Sequence, residues 1–266
     1  MVHLQPLPGS PAAGTRAPDQ LLGAAYERAQ QDALTILHGG MDGVIVENFG
    51  DAPFYPGRVP PIVVASMAAL VTRLAGELRA RARSNSSPFL GINVLRNDAA
   101  SALAIASVAG LDCIRVNIHC GAMVTDQGII EGRAHETLRE RERLRTDALI
   151  FADVLVKHAT PLGGTDLDVG ALAQDTATRG RADALIVTGK ATGAATNLDR
   201  LRTVREAVPD VPVLVGSGVR ADNIGDYAQS ADGFIIGTAL KPNGDVDAPV
   251  EVDLVKAIVR EGRSSS

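Results

Sequence analysis

The sequence predicts one α/β domain over residues 1–266, folded as a (β/α)8 TIM barrel. Three observations carry this. Short β-branched runs alternate with longer Ala/Leu/Arg segments of helical period along the whole chain. The runs are almost continuously apolar, as parallel strands covered by helices must be. With 266 residues, closing eight such units into a ring is the economical arrangement. A doubly wound open sheet is the competing architecture. It would lead with a Gly-x-Gly-x-x-Gly turn after its first strand, where this chain has Pro6-Leu7-Pro8-Gly9-Ser10-Pro11.

Strands are expected at residues 2–7, 43–48, 89–95, 113–118, 150–157, 184–188, 213–216 and 233–237. Helical patterns fall at 19–37, 62–83, 99–109, 134–147, 166–179, 198–208 and 222–230, and a last helix near 252–260 closes the ring. Residues 84–88 read as a surface turn rather than a linker.

The ends of the strands differ from their beginnings. In order they close on His3 and Gln5, Glu47-Asn48, Asn93, Arg115 and Asn117, then Asp153 with Lys157-His158. The last three close on Thr188-Gly189-Lys190, Gly216-Ser217-Gly218 and Gly237-Thr238. The turns entering the opposite end, such as Ala182-Asp183, are short and plain. In a barrel the strand-to-helix loops form the catalytic face, so this asymmetry places a site on that rim.

Alternation puts Arg115 and Asn117 on one face of their strand, and Asp153, Leu155 and Lys157 on one face of the next. Charges pointing into a barrel must be paired, which makes Arg115, Asp153 and Lys157 partners. An internal ion-pair cluster that only fills the barrel competes with a catalytic or ligand-orienting one. The last two strands end in small residues, Gly216-Ser217-Gly218 and Gly237-Thr238. Glycines let backbone N–H groups approach an anion, and a hydroxyl and a helix N-terminus add donors. A phosphate site is therefore expected there.

Two rim loops are long. Residues 48–61 are rich in proline, and 119–133 carries a polar, glycine-hinged stretch from Thr125 to Gly132 that suits a lid. The Glu/Arg-rich stretch 133–145 reads as a solvated helix laced with i,i+4 pairs.

Composition excludes several classes. A net charge of −5, 3% aromatic residues and no Trp disfavour a nucleic-acid surface. Cys113 and Cys120 form neither a CxxC motif nor a disulfide framework, and read as reduced thiols in or near a strand. No basic leader and no transmembrane run of about 20 apolar residues is evident, so a cytoplasmic protein is expected. The five histidines form no HxxxH or HExxH pattern, and Gly-x-Ser-x-Gly is absent. No cofactor and no metal-ligand set is predicted. A divalent ion bridging ligand phosphate to Glu47, Asp51 or Asp153 stays open. Lysine is scarce beside arginine, so each lysine carries extra information.

Several stretches together resemble the BtpA family, which includes SgcQ-like proteins. They are His3 to Pro11, Asp42 to Asp51 with its Glu47-Asn48-x-x-Asp51, Gly91 to Leu95 and Arg115-Val116-Asn117. They continue with Thr188-Gly189 and Thr192-Gly193, Val215 to Val219, and Asp232 to Thr238. The resemblance covers essentially the whole chain; Lys190, between the two Thr-Gly pairs, departs from it. It implies a barrel like those of the ribulose-phosphate-binding group. It also implies an association with photosystem I assembly and stability, with peripheral membrane attachment, while an SgcQ-like branch is associated with sugar-utilisation genes.

Two functions follow. The first is an enzyme for a small phosphorylated metabolite, a sugar phosphate or a nucleotide-like glycoside, with lyase, isomerase or glycoside-cleaving chemistry open. Glu47 and Asp153 are its acid/base candidates, while Arg115, Asn93 and Asn117 orient the substrate. Lys157 polarises an oxygen or forms a Schiff base. Gly216, Ser217, Gly218, Gly237 and Thr238 hold phosphate; His3, Asn48, Asp51, His158, Thr188 and Gly189 complete the rim. The second is a non-catalytic factor for membrane-complex biogenesis. A homo-oligomer is compatible with either.

Overall fold

The computed structural model describes residues 1–82, 87–164, 168–189 and 195–264. Lys190, Thr192, Gly193 and most of the expected 84–88 turn lie outside them. Eight parallel strands form one sheet: β1 (Val2–His3), β2 (Gly43–Glu47), β3 (Phe89–Asn93), β4 (Cys113–Val116), β7 (Leu149–Leu155), β9 (Ala184–Val187), β10 (Val213–Val215) and β11 (Gly233–Phe234). Their spatial order is their chain order, with no switch point, which rules out the doubly wound alternative. The ring closes where the Met1 nitrogen donates to the Ile236 carbonyl at 2.6 Å.

The helices α1 (Pro18–His38), α2 (Pro61–Arg81), α3 (Ala99–Ala109), α4 (Ala134–Leu144), α5 (Val169–Gln174), α6 (Leu198–Ala207), α7 (Ile224–Ala228) and α8 (Val252–Ser264) follow the strands. Every second strand residue, such as Val44, Val46, Leu90, Ile92, Ile114 and Val116, joins the core shared with them. The intervening residues Ile45, Cys113, Ile186 and Ile235 form a separate apolar cluster, with Met1, Phe89, Phe151 and Leu214 packed against it. This is the floor of the barrel. Two residues further along the same strands come His3, Glu47, Arg115, Asp153, Thr188, Gly216 and Gly237, and Asn93 likewise follows Gly91. Strand alternation thus lifts the polar rim directly above an apolar floor. Gly91 has to be glycine here, because a Cβ would stand 2.5 Å from the Cys113 Sγ.

Several expectations need correction. The 119–133 loop is an antiparallel hairpin, β5 (Ala122–Thr125) and β6 (Gly128–Glu131), extended by β8 (Ala159–Pro161) into a three-stranded sheet. Met123 and Ile130 anchor it on Ile118 and Val156, so it is a packed element and not a hinged loop. A register shift in β7 between Asp153 and Leu155 breaks the alternation predicted there, and Leu155 packs among apolar side chains. The α4 helix ends early because Arg145 turns left-handed at φ 49°. By length and composition α2 is apolar enough to cross a membrane. Its face of Val63, Met67, Leu70, Val71, Leu74 and Leu78 is buried in the barrel core, as an outer-ring helix requires.

Candidate functional site

A cavity of about 560 Å³ opens over the polar rim. It brings together His3, Glu47, Arg115 and Lys157 with all five residues expected to bind phosphate, Gly216, Ser217, Gly218, Gly237 and Thr238. Asp153, Asn93 and Asn117 do not line it and lie buried beside its walls.

Strand β4 supplies Arg115, whose Nη2 and Nε reach Asp153 Oδ1 and Oδ2 of β7 at 2.9 and 3.2 Å. Asn117 donates to Asp153 Oδ2 at 2.8 Å, so both oxygens of that carboxylate are engaged. Burial opposes the Arg115 charge, but Asp153 and Glu47 outweigh it and hold the guanidinium above its ordinary pKa. Arg115 and Asp153 are the partners predicted; Lys157 is not in that pair.

Lys157 instead feels Glu47. Glu47 is 3% exposed and receives the Asn93 amide at 2.6 Å from the neighbouring strand. Burial alone would raise its carboxyl. Lys157, then His3 when protonated, then Arg115 and the Asn93 bond hold it below the usual carboxylate range. Burial lowers the Lys157 ammonium, and Glu47 only partly restores it. Among the described residues no carboxylate lies within 4.0 Å of Lys157. His3 stacks on Phe49 at 4.6 Å between ring centroids, and burial lowers its pKa to about 3. It is neutral at pH 7, so its 3.8 Å approach to Glu47 is not an ion pair there.

The opposite wall centres on the backbone of the two glycine-rich turns. Gly218 has φ +71°, a conformation glycine adopts without strain, and a Cβ on Gly216 would stand 2.4 Å from the Ile186 side chain. Asn223 donates to the Gly218 carbonyl at 3.0 Å, fixing the turn. Among the described residues, the N–H groups of Ser217, Gly218, Gly237 and Thr238 have no backbone partner. Ser217 accepts the Gly189 N–H at 2.7 Å, which leaves its own hydroxyl proton to donate. The helix expected at residue 222 is only Ile224–Ala228, so the donors are loop amides and not a long helix N-terminus.

The other rim residues Asn48, Asp51, His158, Thr188 and Gly189 do not line the cavity. Asn48 bridges Asp51 and the Leu95 N–H, and Asp51 accepts from Leu7; burial raises the Asp51 carboxyl despite these bonds. Thr188 donates to the Leu155 carbonyl at 2.8 Å. His158 stands at φ +55° beside Lys157 and does not line the cavity. The two cysteines are free thiols, Cys113 within β4 and Cys120 beyond it.

The cavity also contains residues the sequence did not single out. Lys241, 2% exposed, stands 3.4 Å from His3 Nδ1 and donates to the Val246 carbonyl. Arg220, Asn243 and the α8 residues Leu254, Ala257 and Ile258 complete the wall. Lysine scarcity was the available signal: the chain has four, and of the three among the described residues two line this cavity.

A family model described as the BtpA family matches residues 1–263. The chain belongs to the BtpA family. A protein of Synechocystis sp. named photosystem I biogenesis protein BtpA is 47% identical, covering 97% of this chain and 85% of its own length. A Thermococcus kodakarensis relative is 44% identical, covering 100% of this chain and 96% of its own. Among solved structures, phosphoribosyl anthranilate isomerase from Thermus thermophilus matches with TM-score 0.56 at 12% identity, over 89% of this chain and 95% of that one. Orotidine 5'-phosphate decarboxylase from Pyrococcus horikoshii matches with TM-score 0.55 at 18% identity, over 90% and 94%. At such identities the likeness shows the TIM-barrel fold alone.

Proposed function

We propose that this BtpA-family chain is an enzyme acting on a small phosphorylated metabolite. The observation that carries this is the single cavity joining the two glycine-rich turns to Glu47, Arg115 and Lys157. Its volume of about 560 Å³ suits a metabolite and not a polymer. The amides of Ser217, Gly218, Gly237 and Thr238 receive the phosphate. Glu47, held ionised, takes a proton from carbon or hydroxyl, and the Lys157 ammonium stabilises the oxyanion that develops. Lyase, isomerase and glycoside-cleaving reactions all accept such a pair. The two structural neighbours support the reading in so far as both are named for phosphorylated ligands.

Among the described residues, no three His, Cys, Asp or Glu side chains gather to hold a metal. A divalent ion bound through ligand phosphate would find Glu47 as its carboxylate, since Asp153 and Asp51 are engaged elsewhere.

The test is a thermal-shift screen of sugar phosphates and nucleotides, followed by turnover assays on the hits. Stabilisation that survives Glu47→Gln, with turnover lost, is expected. No stabilising phosphorylated compound would overturn the reading. Borohydride in the presence of a productive carbonyl ligand tests the Schiff-base version, which requires a reduced adduct on Lys157.

One observation favours a second reading, the name of the Synechocystis relative. A non-catalytic factor for membrane-complex biogenesis predicts partner binding that survives Glu47→Ala and Lys157→Ala, with no turnover of any metabolite.

A further inference from the structure

His3 and Lys241 line the cavity, and the proposed chemistry uses neither. Among the described residues, four Lys and Arg side chains line it. Arg115 pairs with Asp153, Arg220 pairs with Asp222 at 3.0 Å, and Lys157 lies in the field of Glu47. The buried Lys241 ammonium is directed instead at the Val246 carbonyl and, at 3.4 Å, at His3 Nδ1. An ammonium can only donate, so Nδ1 offers its lone pair and carries no proton. The ring proton then sits on Nε2. Burial, which keeps the ring from gaining a second proton at pH 7, agrees.

That nitrogen stands beside the base. Nε2 is 3.8 Å from Glu47 Oε1, beyond hydrogen-bond reach, so its N–H is left for a ligand oxygen. Asn93 takes the other Glu47 oxygen, Oε2, and leaves Oε1 to act. Phe49 stacks on the imidazole and fixes its plane. Gly237 lies against the Nε2 edge: a Cβ there would stand 3.3 Å from Nε2 and Cε1. A base oxygen and a donor nitrogen are thus neighbours, next to a turn proposed for phosphate. One small ligand can reach all three, because His3, Glu47 and Gly237 line the same cavity.

We propose that His3, held by Lys241 as the Nε2–H tautomer, is the acid partner of Glu47, and that the substrate is an aldose or ketose phosphate. Glu47 Oε1 takes the proton from the carbon next to the carbonyl. The C–H pair becomes the C=C bond of an enediol, and the carbonyl π pair moves onto oxygen. That oxygen takes the Nε2 proton while Nδ1 takes one from Lys241, so the ring stays neutral and the ammonium becomes an amine. Glu47 then returns its proton to the former carbonyl carbon. The neighbouring hydroxyl gives its proton back through Nε2 and Nδ1 to Lys241, leaving the isomer and all three groups restored. His3 is the catalytic residue and Lys241 the positioning residue that resupplies it. This rests on the phosphate reading above and selects isomerase chemistry from the three reactions it leaves open.

Long-range proton–nitrogen NMR of the histidine-labelled wild-type chain at pH 7 should show His3 protonated on Nε2 alone, and Lys241→Met should lose that single tautomer. A proton on Nδ1, or on both nitrogens, overturns the proposal. Isomerisation is read in heavy water with dihydroxyacetone phosphate, ribulose 5-phosphate and fructose 6-phosphate as probes. Deuterium should enter next to the carbonyl of at least one of them as its aldose appears. His3→Gln should lower kcat about 100-fold with KM within about threefold, and Lys241→Met should lower kcat about tenfold. A His3→Gln loss confined to KM would make His3 a phosphate donor and overturn the proposal. Should both variants fail to fold, the wild-type tautomer and the wild-type exchange still decide. Probes that stabilise the chain against heat but exchange no deuterium overturn the isomerase and leave the phosphate reading standing. No stabilisation by inorganic phosphate or by any of the three probes overturns both.

Discussion

The two walls of the cavity are built on different principles. On the β10 and β11 side the ligand would meet mainly amides, glycines and the hydroxyls of Ser217 and Thr238, held by backbone geometry, with Arg220 and Lys241 beside them. On the β2, β4 and β7 side it would meet charged side chains in a buried network. A backbone wall tolerates changes of side chain but not of glycine. A charged wall is only as sound as its pairing, since removing one partner strands the other. The difference teaches where stability and where chemistry are exposed to mutation.

The largest effect should come from breaking the charged wall. Arg115→Met leaves Asp153 buried without its counter-ion and should cost about 3–5 kcal/mol in denaturant unfolding. A cost below about 1 kcal/mol would mean that the pair is not buried as described. Next is Glu47→Gln, which keeps an acceptor for Asn93 but no base. Turnover should fall about 100-fold or more, in kcat more than in KM.

The third prediction concerns pH. His3 has a folded pKa of about 3 against its ordinary value of 6.5, so between these values the unfolded chain binds the extra proton. Stability therefore falls as pH drops below 6.5, at about 1.4 kcal/mol per pH unit, and is fully present above it. A His3→Gln chain should show a flatter dependence from pH 6.5 to 5; an identical slope would show that His3 is not buried neutral.

On the backbone wall, Gly218→Ala forces a Cβ into φ +71°. It should cost about 1 kcal/mol and weaken phosphate binding while leaving the Arg115 pair intact. The smallest effect lies outside both walls. Removing the exposed Arg143–Glu140 pair should change stability by about 0.5 kcal/mol or less and ligand binding not at all.

The barrel was legible because eight apolar runs and intervening helical periods are a whole-chain pattern. The rim was legible because strand alternation puts Glu47, Arg115 and Gly216 two residues above Ile45, Cys113 and Leu214. Three things were not. The β7 register shift has no local signature, so Leu155 was placed on the polar face. The 119–133 hairpin takes its third strand from Ala159–Pro161, a partner distant in sequence. Lys241 lies past the end of its strand, where alternation no longer tells which way a side chain faces. Asn48, Asp51 and Thr188 show the converse: polar residues at strand ends whose bonds build the loops.

The most direct test of the central claim is a crystal structure of the wild-type chain grown in inorganic phosphate. The account predicts phosphate between Ser217-Gly218 and Gly237-Thr238, within hydrogen-bond reach of their amides. A cavity that stays empty there, or phosphate bound only at surface arginines, would contradict it.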